Sequence, residues 1–291
     1  MNNNQERISG MLKALGNMMN SGVNEEVIEK LNTSLTQFTK ELQKNIKNLP
    51  TFVLNEDMKS FIEETKEDEK LSQEDFEEKY SCEIDVCRDL GRAGWVVSNH
   101  SNPREVKEWY TLLSQNKELE IVSYFEGENG NILKNIFMEL EVKYSENPNN
   151  RYFMKGKHFF EEEDYMTAAM YLVALIEART NNFMDFPNGM KYAQKYSQKG
   201  FEKHIQEEFE NTESIFTKRY LFLDMYPSVI EFLNRLLVDG EYKFEKGIEP
   251  PYVNRNWLLH GKSSRMIERY ECIQLFNALS TIEFVFSFCD Q

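Results

Sequence analysis

Long hydrophobic runs are missing from this sequence. No stretch approaches the roughly 18 consecutive apolar residues of a membrane helix, so no membrane span is expected. Turn formers are scarce too, with thirteen glycines and seven prolines in 291 residues. That scarcity argues against a strand-and-turn architecture, whereas the strong helix formers Leu, Glu, Lys, Met and Gln are abundant. The four cysteines (Cys82, Cys87, Cys272 and Cys289) are too few and too scattered for a disulfide framework. Cys82 and Cys87 have no histidine or second cysteine pair nearby to complete a zinc site. Reduced thiols in a cytoplasmic protein are expected, with no metal and no cofactor. The opening MNNNQERISG lacks the basic-then-apolar pattern of a signal peptide. Gly-rich phosphate loops, HExxH and internal repeats are also absent from the sequence.

What is present suits a helical protein. Apolar residues make up 41% of the chain, enough for a substantial core, and 29% of residues are charged. The length fits one large domain or two modest ones. The formal net charge is −15, which on a uniform surface would repel nucleic acid. The charge is uneven, however. Residues 56–85 hold thirteen acids and four lysines, and 56–80 is expected as one or two short exposed helices. Residues 254–269 hold four basic residues and one acid, a basic island on an acidic protein.

Apolar periodicity predicts helices nearly throughout, hence an all-α fold. Amphipathic helices are expected at 8–20 and 24–47, with a break at NLPTF (48–52). A more apolar helix is expected over 84–98, and the SNP at 101–103 caps the next one. The polar cluster SENPNN (145–150) marks the best candidate boundary. It divides a mostly helical N-terminal region, 1–148, from a C-terminal antiparallel helical bundle, 149–291. Within the bundle, DFPNG (185–189) ends the helix that begins near Tyr165. Phe222, Tyr226, Val229, Leu233 and Leu236 form one core stripe, and Leu275, Leu279, Ile282 and Phe286 another.

The basic island opens with PPYVNRNWLLHGKSSR, residues 250–265. On one continuous helix Asn256 and His260 would face the same way, and Arg255 would lie about 140° round the axis from His260. An arginine and a histidine without a carboxylate companion suit phosphoryl chemistry. Histidine titrates near neutrality and shuttles protons, and arginine's fork matches phosphate oxygens. Asparagine can orient the histidine or donate to the same oxygens. Such a set could cleave RNA without metal: the ribose 2′-OH attacks the adjacent phosphate and arginine stabilises the added charge. Lys262, Arg265 and Arg269 follow as candidate phosphate-binding groups. The spacing alone is weak. Composition predicts about half a chance match to an arginine followed by a histidine at this range. Arg151 and His158 form a second such pair, in RYFMKGKH. Bland roles are also open: Arg255 as a surface partner of Glu249, and His260 as an ordinary helix C-terminal residue before Gly261.

The richer string NRNWLLHG, just before a final apolar helix, resembles the RNxxxHG form of the HEPN (higher eukaryotes and prokaryotes nucleotide-binding) motif. The resemblance covers roughly residues 150–291. It includes YLVALIEARTNNF, similar to an earlier helix of such domains, and CIQLFNALSTIEF after the motif. It implies a small all-α bundle that dimerises. It implies metal-independent RNase activity in phage defence, abortive infection or a toxin–antitoxin system. Arg255 and His260 would be the catalytic pair and Asn256 their polar companion, brought together from two protomers. Glu177 and Arg179 on the earlier helix either support that site or pair with neighbours. RNA and a second copy are thus the expected partners, with a possible antitoxin or regulatory partner for residues 1–148. The alternative is a non-catalytic HEPN-like module that binds a nucleotide or a protein.

Overall fold

Side-chain caps at Ser72, Asn102 and Asn254 set the starts of three of the described helices. The computed structural model describes residues 67–183, 198–212, 215–238 and 246–289, residue 69 excepted. Ser72 opens α1, Gln73–Lys79, by accepting the Asp75 amide at 3.2 Å. α2 follows at Ser81–Ala93. Asn102 caps α3, Pro103–Ser114, through a capping box with Glu105, as the SNP stretch predicts. A short 3-10 turn, Glu118–Ile121, leads into α4, Val122–Tyr144. The turn at SENPNN then gives way to α5, Asn150–Glu161, and α6, Tyr165–Phe183. α7 is Gln198–Asn211 and α8 is Ile215–Lys218. A π-helical stretch, Arg219–Met225, joins α8 to α9, Tyr226–Leu233, and a second, Asn234–Val238, follows. α10 is the five-residue helix Arg255–Leu259, and α11 is Arg269–Cys289. Among the described residues every regular element is helical, and none is long and apolar enough to cross a membrane.

α11 is the hub, packing against α4, α6 and α9. Leu275, Leu279, Ile282 and Phe286 are buried, but so is every other residue from 271 to 283. Two polar residues of this buried helix, Asn277 and Thr281, serve one unusual neighbour. The helix expected over 84–98 ends early, because Gly94 turns left-handed at φ 97° and stops α2. Trp95, Val96 and Val97 then run through the core without helical structure. Their backbone needs partners, and α11 supplies them. Asn277 Nδ2 donates to the Val96 carbonyl at 2.7 Å and Thr281 Oγ1 to that of Val97 at 3.4 Å. Ser228 Oγ on α9 accepts the Val97 amide at 3.0 Å.

The acidic stretch is not wholly a solvated face. Phe76 is fully buried, and so is Asp68. Asp68 accepts hydrogen bonds from Lys79 Nζ at 2.6 Å, Tyr80 Oη at 2.6 Å and Arg219 Nε at 3.0 Å. Burial pushes its pKa up, but those bonds and the Arg219 charge outweigh burial and hold it below the usual carboxylate range.

The chain divides into two compact units, Met1–Glu63 and Glu64–Gln291. The helices expected at 8–20 and 24–47, the NLPTF break and the DFPNG stop lie outside the described residues. The expected boundary between 148 and 149 falls inside the second unit. There α4 packs on both α5 and α11, and α2 on α9, so one core spans the turn.

Candidate functional site

The motif is built on an asparagine. Asn254 is buried, and its Nδ2 donates to the carbonyls of Arg235 and Leu236 at 3.1 and 3.2 Å. Its Oδ1 accepts the Asn256 amide at 3.1 Å and so caps α10. One side chain thus starts the helix and pins it to the end of the α9 run. Trp257 and Leu258 fill the inner face, and α10 packs on α6.

Arg255, at the first helical position, is half-buried. Its Nε donates to Glu177 Oε2 on α6 at 3.0 Å and its Nη1 to Asn256 Oδ1 at 2.9 Å. The guanidinium is therefore held in orientation by a carboxylate and an amide. Arg255 is not the partner of Glu249. That carboxylate is occupied by Ser263 and Ser264 instead.

α10 is too short to carry the histidine inside it. His260 is exposed and occupies the C-cap. Its amide still bonds to the Asn256 carbonyl at 3.3 Å, so the two residues stand one turn apart. Gly261 adopts φ 64°, and the Gly261 and Lys262 amides bond back to Leu258 (3.2 Å) and Trp257 (2.9 Å). This is a Schellman ending, and it explains the glycine after the histidine.

The remaining expected residues do not all converge. Lys262 is exposed two positions beyond His260. Arg265 makes a two-pronged ion pair with the buried Glu271, at 2.9 and 2.6 Å. Arg269 reaches Glu126 at 2.8 Å and lies 4.5 Å over the Phe160 ring, in a groove along α4 and α5. The basic island of the sequence is thus largely neutralised in space: Arg255, Arg265 and Arg269 each have a carboxylate. Glu177 joins the motif, but Arg179 does not. Two residues on a helix are about 200° apart, and Arg179 instead bonds Glu283 at 2.8 Å on α11. Arg151 and His158, the rival pair, sit two turns apart on α5, about 10 Å along its axis. Arg151 lies over the Tyr152 ring and His158 beside that of Phe159.

The roles of Asn254 as cap and pin and of Glu249 as partner of the two serines are not those the sequence suggests. Asn254 carried a usable signal, since asparagine is a preferred N-cap. Glu249 carried none, because its partners stand 14 and 15 residues away. Among the described residues no three His, Cys, Asp or Glu side chains gather as metal ligands. No family model matches the chain, and neither does any curated protein or solved structure.

Proposed function

We propose that this protein is a metal-independent endoribonuclease of the HEPN type, acting in the cytoplasm as a homodimer in phage defence or as a toxin. The supporting observation is the presentation of two groups on one pinned helix turn. Arg255 is oriented by Glu177 and Asn256, and His260 stands exposed one turn on. In the reaction, the 2′-oxygen bonds to phosphorus, the 5′-oxygen leaves, and a cyclic phosphate results. His260 accepts the 2′-hydroxyl proton, and the imidazolium so formed passes a proton through water to the leaving 5′-oxygen. Arg255 stabilises the charge that builds on the phosphoryl oxygens. Lys262 is the flanking cation for a neighbouring phosphate. Residues 1–148 would sense a trigger or bind an antitoxin or regulator.

The test is cleavage of total RNA and tRNA in EDTA by the wild type beside His260→Ala. The expected result is cutting by the wild type, cyclic or 3′-phosphate ends, intact DNA, and a loss of about 10²- to 10⁴-fold in the variant. Cutting that needs added metal, or that continues in His260→Ala, contradicts the proposal. The composite site has its own check. Mixed dimers of Arg255→Ala and His260→Ala subunits should recover part of the activity that each variant lacks alone. Mixed dimers that form and stay inactive would count against shared sites.

A second reading, a HEPN-like module that binds a nucleotide or protein without turnover, draws on the ion pairs. Three arginines of the basic stretch already hold carboxylates. RNA bound but left whole by the wild type would select it.

A further inference from the structure

We propose that Glu249 is a positioning residue whose carboxylate clasps the far side of α10 and thereby fixes the places of His260 and Lys262. The catalytic consequence rests on the ribonuclease reading. The clasp itself does not.

The geometry is dense for one half-buried side chain. Ser263 Oγ donates to Oε1 at 2.6 Å, and Ser264 Oγ donates to Oε2 at 2.7 Å. The Ser264 amide donates to the same carboxylate at 3.0 Å. Both carboxylate oxygens are thus engaged from one two-residue step of chain. Burial raises the Glu249 pKa, but the bonds from Ser263, Ser264 and the Arg265 backbone outweigh it and hold the group below its ordinary value. The carboxylate that makes the clasp is therefore ionised at neutral pH.

Its position in the chain gives the clasp its purpose. Glu249 precedes Pro250 and Pro251, whose rings fix φ and stiffen the approach to Asn254. Ser263 and Ser264 follow the Schellman ending at once. The segment 249–264 is accordingly closed around α10 at both ends. Asn254 pins the entry, and Glu249 ties the exit back to a point before the entry. Residues 262–268 have no regular structure, and Arg265 holds their later part through Glu271. The Ser263 amide also bonds the Trp257 carbonyl of α10 at 3.1 Å, and the Glu249 carboxylate is what links this step back to the chain that enters α10. A positional error of about 1 Å at a reacting group can cost about 100-fold in rate, so a tie at this point bears directly on His260.

Three readouts test the proposal on the full chain, with Glu249→Ala as the main variant. Glu249→Gln keeps one carbonyl acceptor and serves as the gentler variant. First, limited trypsin digestion reports on the loop, since Lys262 and Arg265 are cleavage sites within it. Cutting there should quicken about tenfold in Glu249→Ala and less in Glu249→Gln. Second, the His260 imidazole NMR signal should shift or broaden in Glu249→Ala while signals of His100 and His204 stay in place. Third, RNA cleavage should lose about 10- to 100-fold in kcat with KM within about threefold of wild type. Trypsin cutting at the wild-type rate overturns the clasp. Faster cutting with an unmoved His260 signal overturns the positioning role. If the wild type cuts no RNA, the ribonuclease reading fails, and the first two readouts still decide the clasp.

Discussion

Asp224 shows how strongly one residue's surroundings can alter its chemistry. It sits in the π-helical stretch before α9, with Cys87 Sγ of α2 donating to it at 3.9 Å. Burial pushes its pKa up to about 6 and the Glu83 charge adds to the rise, against a lowering from the thiol contact. The folded protein therefore binds a proton between about pH 4 and 6 that the unfolded chain releases, so this group makes stability fall as pH rises through that window. Asp224→Asn should remove the fall and stabilise the fold at pH 7 by on the order of 1–3 kcal/mol. Denaturant midpoints of both proteins at pH 4.5 and 7 check this. A variant no more stable than wild type at pH 7 would refute it. At the same scale, the motif residues were legible as residue types. The roles of Glu177 and Asn254 needed the fold, because Glu177 is 78 positions from Arg255 and Asn254 reaches back to Arg235.

At the scale of elements, close approach decides the geometry. Gly91 on α2 lies against α9 so tightly that an added Cβ would fall 2.2 Å from the Ser228 carbonyl oxygen. That neighbour is backbone and cannot swing away, so Gly91→Ala must part the two helices. We expect a loss of about 3 kcal/mol. Gly127→Ala on α4 meets nothing within 4 Å and should be neutral or stabilising by about 0.5–1 kcal/mol. Equal midpoints for the two variants would refute the contact. The core stripe from Phe222 to Leu236 was readable from its spacing, and all five residues are buried. The π-helical stretch was not read. Its signal is Pro227, which lacks an amide hydrogen and crowds the carbonyl four residues back, so the helix widens before it. The early end of α2 was also missed. Trp95, Val96 and Val97 look helical by hydropathy, but Gly94 turns the chain and buried partners on α9 and α11 take their backbone groups.

The whole molecule overrides the boundary drawn at SENPNN. A polar turn marks a surface loop, but only contacts across it show whether a domain ends there. Here α2 covers α9 and α4 covers α11. A fragment of residues 149–291 would leave Val229, Phe276 and their neighbours exposed, and it should be aggregation-prone or lack a cooperative transition. Residues 64–291 should unfold in one step. A cooperative melt of the shorter fragment would restore the boundary.

The all-α class, the core stripes and the string from Asn254 to Gly261 were set by the sequence alone, because helical periodicity and capping act over a few residues. Tertiary structure decided the rest. It paired Arg255 with Glu177, Arg265 with Glu271 and Arg269 with Glu126, turning a basic island into a largely compensated surface. It sent Arg179 to Glu283 and gave Glu249 to the serines. These choices depend on which carboxylate the folded chain brings within hydrogen-bond reach. For Glu177 and Glu126 that distance is settled by helix packing, which local sequence does not encode.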